Sequence, residues 1–110
     1  DQSQLQDVRE EMLDRFGPLP APVDTLLLLK ELQLLAREIK LDSIRIEGQF
    51  FVLTGKSARN MKLLNRLSPH DLRLVDKHNI YVPIPTEGSF DTPEGQTLLL
   101  LFLKSVLQDR

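Results

Sequence analysis

Asp14-Arg15-Phe16-Gly17-Pro18-Leu19-Pro20-Ala21-Pro22-Val23 reads as a corner between two helices. Gly17 can adopt the left-handed backbone that closes a helix, and Pro18 cannot continue one. Pro22 suits the first turn of the next, where its missing N–H costs nothing. Phe16, Gly17, Pro18, Pro20 and Pro22 therefore make a stiff elbow whose role is structural: it sets the angle between the flanking helices.

Upstream of the elbow, Ser3-x-x-Gln6 reads as a capping box, and Leu5, Val8, Met12 and Phe16 recur at three- and four-residue steps. That spacing predicts a helix over about residues 4–16 with those side chains on one face. Asp7, Glu10, Glu11 and Asp14 fall on the opposite face. Glu11 and Asp14 sit near the helix C-terminus, the end of the dipole that favours cations by a few tenths of a kcal/mol. Their placement serves either solubility or a partner surface carrying Arg or Lys. Downstream, Val23, Leu26, Leu27, Leu32, Leu34, Leu35 and Ile39 predict a second helix over about 21–40. Leu28 and Leu29 widen its apolar arc, so it should be covered on more than one side, by flanking helices or in part by a partner.

Beyond residue 40 the pattern changes. Ser43-Ile44-Arg45-Ile46-Glu47, the turn Gly48-Gln49 and Phe50-Phe51-Val52-Leu53-Thr54 predict a β-hairpin. Ser57 caps a short helix through Met61, Leu63, Leu64 and Leu67. Leu72-Arg73-Leu74-Val75 and Ile80-Tyr81-Val82-Pro83-Ile84 read as two further strands, the second of which should be an edge or should end at its prolines. Thr92-Pro93-Glu94 starts a last helix reaching about Gln108. Its run from Leu98 to Leu103 wraps all round, so it should insert between sheet and helix or expose leucine. The order lacks strict strand-helix alternation, which predicts an α+β fold: a small, largely antiparallel sheet of about four strands packed by about four helices.

The 110 residues, 41% hydrophobic and 27% charged, suit a single soluble domain, 1–110. The first residue is Asp1 and not Met, as expected of a fragment of a longer protein. Cysteine is absent, which excludes disulfides, thiolate metal sites and a Cys nucleophile. No apolar run approaches the ~20 residues of a membrane span, and no signal segment opens the chain. The net charge is −2, unevenly spread: residues 1–31 hold seven acids against three bases, and residues 37–77 nine bases against five acids.

No catalytic or metal site is expected. Gly55-Lys56-Ser57 lies between a strand and a helix, but a phosphate loop needs a glycine where Phe50 stands. His70, with Ser68 and Asp71, has the residue types of a nucleophile set but not the convergence from separate segments that such sets need. His78 has no carboxylates at metal-ligand spacing, and both histidines read as surface residues. Lys56, Arg59, Lys62 and Arg66 recur at helical spacing and form one basic stripe, either a solvated face or a weak, salt-sensitive nucleic-acid contact. Phe50, Phe51 and Tyr81 are the only strand aromatics, thin provision for single-strand stacking.

Arg15-Phe16-Gly17-Pro18-Leu19-Pro20-x-Pro22-Val23, with Leu26 and Leu27 after it and Glu11-x-x-Asp14 before it, resembles the C-terminal domain of the bacterial transcription-repair coupling factors. These are large DNA translocases that remove stalled RNA polymerase and recruit nucleotide-excision repair. The resemblance is strongest over residues 11–41 and elsewhere lies in the order of elements. It implies a non-catalytic, autoinhibitory domain of a cytoplasmic bacterial protein. Such a domain docks on the parent's N-terminal repair-helicase-like module, masks recruitment of the damage-recognition ATPase, and restrains the motor until RNA polymerase is engaged. Cofactors, ATP and Mg, would belong to the motor domains, through which the parent also meets DNA. Glu11 and Asp14 match the acidic turn that would meet the module; Asp7 and Glu10 share the face but not the motif. For residues 42–110 the resemblance assigns no site. The alternative is a nucleic-acid-binding module using the stripe on the 58–67 helix.

Overall fold

The computed structural model describes residues 2–18, 21–86 and 89–109. The elements are α1 (Gln2–Phe16), α2 (Ala21–Glu38), β1 (Ser43–Glu47), β2 (Phe50–Thr54), α3 (Ala58–Leu67), β3 (Arg73–Leu74), β4 (Asn79–Pro83) and α4 (Pro93–Gln108). The strands form one antiparallel sheet in the order β1-β2-β4-β3, so the α+β expectation holds.

The elbow closes α1 as its residues dictate. Gly17 has φ +76°, and its N–H donates to the Leu13 carbonyl at 2.9 Å, the single bond of a left-handed helix cap. Leu19, Pro20 and the Phe16 side chain lie outside the described residues; Pro18 and Pro22 are exposed. After the corner the chain doubles back, so α1 lies along α2: Gln2 Nε2 donates to the Glu38 carboxylate at 3.2 Å, and Arg9 Nε stands 3.9 Å from Asp24 Oδ1. The helix already includes Ser3, which therefore sits inside the first turn and not ahead of it as a cap.

The side chains facing α2 are Leu5, Arg9 and Met12. Val8, expected on that face, is instead 47% exposed. A helix of this composition has apolar side chains on both flanks of its seam, Val8 on one and Leu13 on the other, and the stem of Arg9 packs between them. None of α1's described side chains is buried.

The core lies on one face of the sheet. Phe51, Leu53, Ile80 and Val82 point into it, with Leu32 and Leu35 of α2, Met61 and Leu64 of α3, and Leu99, Leu103, Val106 and Leu107 of α4. α2 meets α4 over this core, and Glu31 anchors Lys104 across it at 2.9 Å. α4 reaches the sheet through Phe102, stacked 6.4 Å from Phe51. It packs against α2 and shares the core with the sheet, yet Leu98 and Leu101 remain about half exposed. α2 is likewise covered on two sides, by α1 and by the core, while Leu26 and Leu29 stay open to solvent.

Gly48, at φ +60°, occupies the first central position of the two-residue hairpin loop joining β1 to β2. β4 is an inner strand that ends at Pro83, where the missing donor no longer matters. β3 is shorter than expected: only Arg73 and Leu74 pair, and Val75 is exposed. α2 ends at Glu38, two residues early. The Leu41 N–H then donates to the Ala36 carbonyl at 2.9 Å and the Lys40 N–H to Arg37 at 3.1 Å, the paired bonds of a Schellman cap. Lys40 stands at φ 62° in the position that usually holds glycine. The molecule is elongated, 47 × 30 × 21 Å; its radius of gyration of 15.0 Å exceeds the roughly 13 Å of a compact chain this long, because α1 forms an outer layer.

Candidate functional site

Asp7, Glu10, Glu11 and Asp14 lie together on the side of α1 turned away from α2, and all four are exposed. Their amphipathic helix leaves them no other place once Leu5, Arg9 and Met12 form the seam. Two are lightly engaged. Glu11 Oε1 pairs with Arg15 Nη2 at 3.0 Å one turn on, and Glu10 accepts from Gln6 Nε2 at 3.2 Å. Arg15 offsets the adverse dipole position of Glu11. An exposed pair at this spacing is worth only about 0.3–0.5 kcal/mol, so an incoming guanidinium or ammonium can displace it. Asp7 and Asp14 have no ion-pair partner among the described residues.

The basic stripe is also assembled. Lys56, Arg59, Lys62 and Arg66 are exposed, the last three along one side of α3, and none forms an ion pair among the described residues. Ser57 caps the helix, its Oγ accepting from the Asn60 N–H at 3.2 Å, which accounts for the Gly55-Lys56-Ser57 tripeptide. Beside the stripe, Asn65 Oδ1 is buried without a hydrogen-bond partner among the described residues.

The histidines have structural partners. His70 Nε2 lies 3.1 Å from Asp109 Oδ2, and its ring meets the edge of Phe102 at 6.2 Å, tying the loop after α3 to the end of α4. It is half-buried, not the free surface residue expected. Ser68 Oγ accepts from the His70 backbone N–H and Asp71 pairs with Arg73, so the three side chains of the supposed nucleophile set point to separate tasks. His78 Nδ1 lies 3.0 Å from the Gly55 carbonyl. Next to it Asp76 accepts from the backbone of His78 and Asn79 and from the Asn79 amide, and this last bond foremost holds its carboxyl below the usual range. Among the described residues no group of three His, Cys, Asp or Glu is placed to hold a metal ion, and no helix is long and apolar enough to cross a membrane.

The far face of the sheet carries the fully buried Val52 among larger, partly exposed side chains. Phe50 and Tyr81 stand 5.6 Å apart on it, with the Arg73 guanidinium 5.7 Å from the Phe50 ring. Tyr81 Oη donates to Glu47 at 3.2 Å, and Glu47 pairs with Arg45 at 3.4 Å. Two carboxylates, Glu47 and Asp71, thus neutralise the two arginines of this face, which leaves no net attraction for a phosphate backbone.

A family model described as the TRCF domain matches residues 1–65, from α1 through most of α3. No curated protein and no solved structure matches the chain significantly.

Proposed function

Because the chain belongs to the TRCF-domain family, the C-terminal region of the transcription-repair coupling factors, we propose that it is a regulatory docking domain of transcription-coupled repair. It binds, through the acidic side of α1, the N-terminal repair-helicase-like module of its own parent. The observation that carries the reading is the separation of tasks on α1. One side supplies the seam with α2, and the other gathers Asp7, Glu10, Glu11 and Asp14, whose ion pair and hydrogen bond among the described residues stay within α1 itself. Side chains that tie α1 to nothing else in the fold are free to be selected for a partner.

Charged contacts of this kind fix register and speed association while keeping affinity moderate, which suits a lid that must open. Closed and open forms then stand in an equilibrium that any ligand with preference for one form displaces. In the closed form the recruitment surface for the damage-recognition ATPase is masked and the motor restrained; RNA polymerase favours the open one. The domain itself performs no chemistry and holds no cofactor, ATP and Mg being bound by the parent's motor.

Calorimetric titration of the domain against the separately expressed N-terminal module, at two salt concentrations, tests this. Wild type should bind, more weakly at high salt, and Glu11→Lys with Asp14→Lys should abolish binding while leaving the circular dichroism unchanged. Undiminished binding by that variant would remove α1 from the interface.

One observation favours a second reading: the cations of the α3 stripe carry no ion pairs among the described residues, unlike Arg15, Arg45, Arg73 and Lys104. As a nucleic-acid contact they would give binding that loses about one unit of salt slope for each cation removed. Neutralising Lys62 and Arg66 separates the two readings, since docking through α1 would not respond.

A further inference from the structure

The sheet's two edges are built differently. β3 presents only two residues, too short to template another strand. β1 presents five, pairs with β2 alone, and contains neither proline nor a core-facing charge. Its core-side residues are Ile44 and Ile46, opposite Leu53 and Phe51, and Ile46 is 52% exposed. Proteins protect such edges with inward charges, bulges or covers. This one has none among the described residues.

Alongside β1 runs a groove of about 890 Å³ between the sheet edge and α2. Leu29, Ala36, Ile44, Ile46 and Phe90 give it an apolar lining, and three of these are substantially exposed: Leu29 at 41%, Ile46 at 52% and Phe90 at 39%. Its rim carries Arg37, Lys40 and Lys56 against the single acid Asp42. Among the described residues none of these three cations forms an ion pair. Lys40 is also the one described non-glycine residue at positive φ. Glycine would relieve that strain, and a strained residue is tolerated where its side chain has another use.

We infer that the open edge of β1 is a docking site for an extended acidic segment of another polypeptide, added as a fifth strand. Its backbone pairs with β1, alternate apolar side chains enter the groove beside Ile44 and Ile46, and its carboxylates meet Arg37, Lys40 and Lys56. The site is separate from α1, so its test does not depend on the lid reading.

The probe is a synthetic octapeptide alternating valine and glutamate, titrated into the 110-residue chain and followed by amide chemical shifts. The amides of residues 43–47 should shift, and affinity should fall with salt. Ile46→Lys, which puts a charge on the core side of the edge, should abolish binding. Lys40→Gly should bind roughly fivefold more weakly, the share of one charged contact. Because that substitution relieves strain, its loss of affinity cannot come from unfolding. Absence of shifts in β1 at millimolar peptide would overturn the proposal. So would equal binding of a valine-serine peptide, indifference to both substitutions, or a wild-type chain that pairs β1 with β1 of a second copy.

Discussion

Gly17 and Lys40 hold left-handed backbone at the ends of consecutive helices, and only one of them is suited to it. A Cβ at Gly17 would meet nothing within 4 Å, so the cost of Gly17→Ala is conformational alone, about 1 kcal/mol. Lys40→Gly runs the other way: removing the steric cost outweighs the added freedom of the unfolded chain, and the domain should gain roughly 0.5–1 kcal/mol. Urea unfolding of both variants checks the pair of signs. Asp76 supplies a pH dependence. Its folded-state carboxyl is held low, first by the Asn79 side chain and then by the His78 N–H, so its contribution is present above the unfolded carboxyl's value and disappears as pH falls through the folded one. The advantage of wild type over Asp76→Ala in thermal midpoint should therefore be constant near neutrality and shrink below about pH 4.

At the scale of elements, α1 stands apart. The buried cluster draws on α2, α3, α4, β2 and β4, with Leu41, and takes nothing from α1. A chain beginning at residue 21 should still unfold cooperatively and keep the amide shifts of β2 and β4, at a modest loss of stability. Collapse of those shifts would make α1 part of the core unit.

The caps at Gly17, Ser57 and Thr92, the hairpin and the exposure of the four α1 acids were all legible in the sequence, because each depends on residues within one turn or one hairpin. What escaped depends on contacts distant in the chain. Periodicity alone could not choose Arg9 over Val8 for the α1 seam, since the choice lies with the surface of α2. The two-residue length of β3 is decided by β4, and the Schellman cap at Lys40 lacks the glycine by which such caps are recognised. The groove gathers Leu29, Ile46 and Phe90 from three segments, so no motif announces it.

Across the whole molecule the charges are divided by position as well as by sequence: acids on the outer layer formed by α1, bases on α3 and around the groove. Membership of the TRCF-domain family places the chain in transcription-coupled repair. The polarised surface suits a domain that meets a basic partner with one side and keeps the other for separate contacts. If both sides bind at once, the acidic contact should weaken with salt without dependence on Lys62 or Arg66.

The acidic side of α1, as the closing contact of a lid, is best probed in the parent protein. Glu11→Lys and Asp14→Lys should be introduced there together, and binding of the damage-recognition ATPase measured in the absence of RNA polymerase. Wild type should bind poorly and the variant strongly, because the mask has been released. Equal, poor binding by both, with the variant's domain folded, would contradict it.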